Sequence, residues 1–361
     1  MCGKHEHFSR ATFLAAAGAA AALPAAAAAS AAPPLLSVPH GLRSANARAA
    51  SIAAASPLVR ANYGRVHALV QSIGDARLRA HVQDLLERPS PRYALRYRTP
   101  ESRSELRDQL AREGLLAAQT AVEIIFPPGT DGSQPVQPFW STPGSDFNGH
   151  HSYPGGLMAH ELFNATAAAN FGHTYDTIDF ANRRTVDRDL VIAAAFYHDV
   201  MKTVVFQYND DGTLLAEGQI AATGAHHCLS GAEAIVRGRD ARFVTALLSA
   251  HAAPSLGDET KVVQWCRASA LIAGVDPVEY GLVAQRGGEY VLAALPSIES
   301  FVSFLSDHDF VLTIPAVRAV VPEIAKVDPS AWFRHEMFAK HSATSLYEAL
   351  RKNKLAETLR G

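Results

Sequence analysis

Thiols are nearly absent. Three cysteines, Cys2, Cys228 and Cys266, stand apart in 361 residues, with no CxxC pair among them. That excludes a disulfide framework and a thiolate-held zinc. Charge of one sign is also missing. The formal net charge is −2, so nothing draws the chain strongly to nucleic acid or to an anionic membrane. There is no P-loop and no GxGxxG ahead of a helix, which excludes the common nucleotide cradles. No apolar run is long and hydrophobic enough for a membrane span. What is present is 48% hydrophobic and 19% charged residues, enough to bury a real core.

The N-terminus has its own composition. MCGKHEHFSRATFLAAAGAAAALPAAAAASAAPP carries Lys4 and Arg10, then an Ala-rich apolar stretch, then small residues at Ala29-Ser30-Ala31. Residues 1–31 thus read as an export signal with an A-x-A cleavage site, which places the chain in the periplasm or outside the cell. The segment SRATFL resembles a twin-arginine motif with Ala11 where the second Arg belongs.

Residues 32–56, rich in Ala, Pro and Ser, read as a linker. Over 57–126 apolar residues recur at helical spacing, as in Leu78, Val82, Leu85 and Leu86. Residues 127–149 form a Pro/Gly/Ser-rich loop. The next region, 150–288, shows helical patterns at 157–171, 189–202, 230–237, 240–251, 261–274 and 277–285. Its exception, VVFQY-NDDG-TLLAE from Val204 to Glu217, predicts a small hairpin. The region 289–361 continues as helices broken at Pro296, Pro315, Pro322 and Pro329. The expected fold is an all-α bundle with one small hairpin and extra helices at both ends.

Eight of the 16 histidines fall between His150 and His251. The His198-Asp199 pair ends the apolar helical run 190–196, where two ionisable groups need a compensating partner. A second pair, His308-Asp309, has no such company and reads as a solvated helix end. His160, His198, Asp199, His227, His251 and Asp276 each lie on or beside an apolar helix. Packed into one bundle, they converge. Imidazole and carboxylate donors suit divalent Fe, Mn, Zn or Ni, and six ligands suit two ions with Asp199 as bridge. Of His226 and His227 one is the ligand. Asp276 has a competing role, because Asp276-Pro277-Val278-Glu279 has the form of a helix cap.

The order H…HD…H…H…D resembles the HD superfamily of metal-dependent phosphohydrolases, an all-α family. The segment His150-His151-Ser152-Tyr153-Pro154-Gly155-Gly156-Leu157-Met158-Ala159-His160 is similar to the HH-x-Y-x-GGL-x-x-H opening of its branch with 3′–5′ exoribonucleases. The resemblance covers roughly 145–285 and makes this the HD domain. Lys202 matches the Lys of an HD-x-x-K element, and the H-x5-E spacing to Glu233 favours His227 as ligand. Ala252 stands where many relatives have a second His, and Val275 where they often have Ala. The OB module of those exoribonucleases has no counterpart here.

The resemblance implies hydrolysis of a phosphoester by metal-activated water. Asp199 and Lys202 are the catalytic residues, and a small phosphorylated compound or nucleotide is the substrate. No nucleic-acid partner is expected. The same ligand order also resembles the diiron oxygenases of this superfamily, and a metal-binding module without catalysis is the third reading.

Overall fold

Caps determine where the helices begin. The Asp187 carboxylate accepts the Leu190 N–H, Asp240 accepts the Phe243 N–H, and Ser56 accepts the Val59 N–H with Pro57 following. The computed structural model describes residues 36–255 and 257–360; the segment read as an export signal lies outside them. The helices are α1 (Ser44–Ala55), α2 (Pro57–Gln71), α3 (Ala76–Glu87), α4 (Pro100–Arg112), α5 (Gly156–Ile178), α6 (Arg188–His198), α7 (Lys202–Val205) and α8 (Ala225–Val236). They continue with α9 (Ala241–Leu248), α10 (Glu259–Ala273), α11 (Ile298–Ser306), α12 (Phe310–Ala325), α13 (Ala331–His341), α14 (Ala343–Arg351) and α15 (Leu355–Thr358). Two antiparallel ribbons interrupt them: β1 (Gln219–Ile220) with β2 (Thr223–Gly224), and β3 (Val283–Arg286) with β4 (Glu289–Leu292). The fold is all-α with small hairpins, as the periodicity predicts.

Helix α6 is the centre. Every residue from Leu190 to His198 is buried, and α5, α9, α3, α8 and α11 all pack on it. A helix apolar on every side belongs inside a bundle. The main core runs through Leu157, Ile192, Phe196, Leu229, Val244 and Ile272. From Leu36 onward the chain forms one compact unit, in which the region 289–361 continues as helices. Among the described residues no helix is long and apolar enough to cross a membrane.

Four expectations change. The linker expected over 32–56 contains α1, whose Ala45 and Ala49 pack closely on Tyr208 and Trp332. The hairpin at Val204–Glu217 shrinks to one bridge between Tyr208 and Leu214, and Val204 belongs to α7. The helix expected over 277–285 is a capped turn leading into β3. Pro315 and Pro322 lie inside α12 instead of breaking it. Both are exposed, and so are Val311 and Arg318 four residues earlier, while Ala316, Val317, Val320 and Ile324 are buried. Both prolines thus lie on the solvent face of the helix, where water can reach the turns that lose a backbone donor.

Candidate metal centre

Helix α6 stops at His198. The break at 199–201 lets His198 and Asp199 face the same interior point, and Lys202 starts α7 beside them. Helix α5 contributes His160, Glu161 and Asn164; the first turn of α8 contributes His226; a 3-10 turn after α9 contributes His251. The residue after α11 contributes Asp307.

Asp199 is fully buried and lies at the focus. Its Oδ2 is 3.2 Å from His160 Nε2 and 3.4 Å from His198 Nε2. Its Oδ1 is 3.1 Å from His226 Nε2 and 3.4 Å from His251 Nε2. Asp307 closes the far side, with Oδ1 3.1 Å from His160 Nε2 and 3.7 Å from His198 Nε2. Its Oδ2 is 3.1 Å from His251 Nδ1. The Asn164 amide donates to Asp307 at 2.9 Å.

The outer nitrogens have their own partners. His198 Nδ1–H donates to the Ala195 carbonyl at 2.6 Å, and His226 Nδ1–H donates to Glu217 at 2.5 Å. His160 Nδ1 is 3.3 Å from Asp309. Such contacts select the tautomer that leaves Nε2 free to bind. Glu217→Gln is therefore expected to weaken metal binding about 10–100-fold while the fold persists, as read by metal titration beside circular dichroism.

Both Asp199 oxygens and the Nε2 atoms of His198, His226 and His251 are buried without a hydrogen bond among the described residues. They lie close to one another but are not aligned to bond one another. Buried polar atoms left in that state are costly unless another group satisfies them. Two donor groups, one of His160, His198 and Asp307 and one of Asp199, His226, His227 and His251, each lie within 4.8 Å. These buried groups can hold a metal ion.

Electrostatics agree. Burial opposes charge on His198, yet Asp199 and Glu161 outweigh it and raise its pKa well above the ordinary range. Burial likewise opposes charge on His160, and Asp199 and Asp307 raise it. Burial works against the Asp199 carboxylate, but His198 and Lys202 hold its pKa well below normal. Lys202 is buried; its ammonium contacts Asp199 and donates to the Gly144 carbonyl. Beside the cluster lies a cleft of about 610 Å³, lined by Phe147, Lys202, Glu217, His226, His227 and His251 among others.

No family model, curated protein or solved structure matches this chain.

His160, His198, Asp199, His251 and Lys202 thus come together where the spacing of the sequence places them. Asp276 does not join them. It is exposed, its carboxylate accepts the Val278 and Glu279 N–H groups, and it lines a different cleft with Arg96 and Arg112. The capping role wins. The acid at the site is Asp307 instead. Among the described residues it is His226, not His227, that comes within 4 Å of Asp199. His227 is half-buried, stacks on His251 at 3.6 Å between centroids, and hydrogen-bonds Thr223. The Glu233 spacing misleads because Glu233 serves the core: it accepts from Arg237 at 2.6 Å and from the Tyr93 N–H at 3.0 Å. Asp309, read as solvated, is largely buried and pairs with His151 at 2.5 Å. The one sequence signal for this region is Asp307-His308-Asp309 at the end of an apolar helix, the same pattern that marks His198-Asp199.

Proposed function

We propose that the chain is a divalent-metal-dependent phosphohydrolase of the HD type, acting on a small phosphoester or nucleotide. One observation carries this reading: four imidazole Nε2 atoms approach Asp199, two on each carboxylate oxygen. A carboxylate so divided suits a bridge between two ions, and the donors suit Mn, Fe, Ni or Zn. The order His160, His198-Asp199, His226, His251, Asp307 also follows H…HD…H…H…D. When bound, such ions supply Lewis acidity and lower the pKa of a coordinated water.

The chain's own residues would do the rest. Lys202 places a buried cation at the cleft, where it offsets charge building on a phosphoryl group. His150 and His227 line the same cleft and offer further donors. The test is metal analysis of the purified protein, then a phosphoester screen with Mn2+, Fe2+ and Ni2+ and an oxygen electrode alongside. Phosphoester turnover without O2 uptake is expected. Strict Fe dependence with O2 consumption would move the chain to the oxygenase reading. Metal near zero, unchanged by His198→Ala, would refute a metal centre.

The raised pKa values of His160 and His198 make a second, cheaper prediction. The facing carboxylates make both rings hold a proton more tightly than an ordinary His, and ligation requires the neutral ring. Adding Mn2+ to metal-free protein in weak buffer should therefore release protons, and affinity should rise with pH. A pH-stat titration showing no release would contradict the assigned ligands.

A further inference from the structure

The opening His150-His151 pair has no part in the cluster on Asp199, yet the backbone is built around it. Consecutive side chains ordinarily diverge. Here His151 takes a left-handed conformation, φ 54°, which is uncommon for a residue with a side chain. Two glycines make room for it. A Cβ on Gly156 would sit 1.8 Å from the His151 carbonyl, and one on Gly144 would sit 2.7 Å from the His151 Cβ. The Gly144 N–H donates to that same carbonyl at 2.8 Å. Tyr153, two residues on, anchors the segment in the core of the C-terminal helices. Gly144 and Gly156, the second glycine of the sequence motif, thus leave the space in which His151 turns.

The two imidazoles aim at Asp309. His151 Nε2 lies 2.5 Å from Oδ2, and His150 Nδ1 lies 3.8 Å from Oδ1. His150 Nδ1 is buried with no hydrogen bond among the described residues. Donor atoms of His150, His151, His160 and Asp309 all fall within 4.8 Å of one another. A local strain of this kind, held by compensating contacts, is typical of functional positions. Two imidazoles and a carboxylate form a set that transition-metal ions prefer, and three protein donors leave room for water or substrate.

We propose that His150, His151 and Asp309 form a further divalent-cation site, which adjoins the cluster on Asp199 through His160. The site goes beyond the hydrolase reading and does not depend on it. The rival is a purely orienting role, in which His151 fixes Asp309 and Asp309 fixes His160.

The experiment is a Mn2+ titration of the metal-free full chain, with bound metal counted by mass spectrometry after gel filtration. His150→Gln and His151→Asn are each expected to bind one equivalent fewer than wild type. Asn tolerates the left-handed backbone, so it spares the turn. His198→Ala should lose metal from the Asp199 cluster and keep the further equivalent, which separates this proposal from the hydrolase reading. Equal Mn2+ in wild type and both variants would overturn the proposal. A second reading leaves His150 and His151 unsubstituted: labelling with diethyl pyrocarbonate and peptide mapping, on wild type and on His198→Ala. Protection of His150 and His151 by Mn2+ that persists in His198→Ala supports the site; labelling indifferent to Mn2+ overturns it.

Discussion

Replacing Asp199 with alanine is expected to abolish metal binding at its own cluster, to abolish turnover with it, and to destabilise the metal-free fold. Among the described residues no other touches as many of the donors: His160, His198, His226, His251 and Lys202 all face its two oxygens. The Asp199 carboxylate favours the charged form of each neighbour, and the pKa values of His160, His198, His226 and Lys202 are all raised. Removing the anion leaves buried cations uncompensated, a change that costs about 3–5 kcal/mol for a broken buried pair. Denaturant midpoints should shift accordingly, and bound metal should fall by the equivalents that the Asp199 cluster holds. The acid side offers a check on sign. The folded pKa of Asp199 is depressed, so its contribution is present above the unfolded value of about 3.9 and is lost as pH falls through the folded value. The variant should therefore lose part of the steepness of acid unfolding. Full metal retention in Asp199→Ala would show that the cluster is only a polar core.

The second large effect separates two acids. Asp307→Ala is expected to strip metal from the site, and Asp276→Ala is expected to leave metal content unchanged. Asp307 is buried and touches His160, His198 and His251. Its pKa is well below normal because His251 and His160 outweigh the penalty of burial. Removing it opens the His160–His198 side of the site. Asp276 caps a turn through two N–H groups, and losing such a cap costs about 0.5–2 kcal/mol. Metal per chain and melting temperature, measured on both variants, should thus move in opposite patterns. Metal lost from Asp276→Ala and kept in Asp307→Ala would reverse the assignment.

Why was one acid legible and the other not? His160, His198, Asp199 and His251 lie at the ends or on the faces of strongly apolar helices, where a polar group must have a reason. That argument is local, and it works. It also works on Asp307, but Ile298–Ser306 is a short helix far along the chain from the histidine cluster. Proximity along the chain was the wrong measure. Asp307 enters because α11 packs on α5 and on the turn that holds His251. The choice between His226 and His227 is equally a matter of packing. Adjacent residues in the first turn of α8 differ by about a hundred degrees in direction. Which of them faces Asp199 depends on how α8 packs against α6 and α10, and no spacing within the helix reveals it.

Composition and periodicity determined the class: few thiols, little net charge and repeated apolar faces leave a helical bundle with imidazole and carboxylate as its chemistry. They also determined that His198-Asp199 needed compensation, because an apolar helix end cannot hold two ionisable groups alone. Only the tertiary structure decided which groups provide it. Packing of α5, α6, α8, α9 and α11 selected His226 over its neighbour and Asp307 over Asp276. Donor convergence depends on distances across helices, and those distances arise from the packing of the whole core.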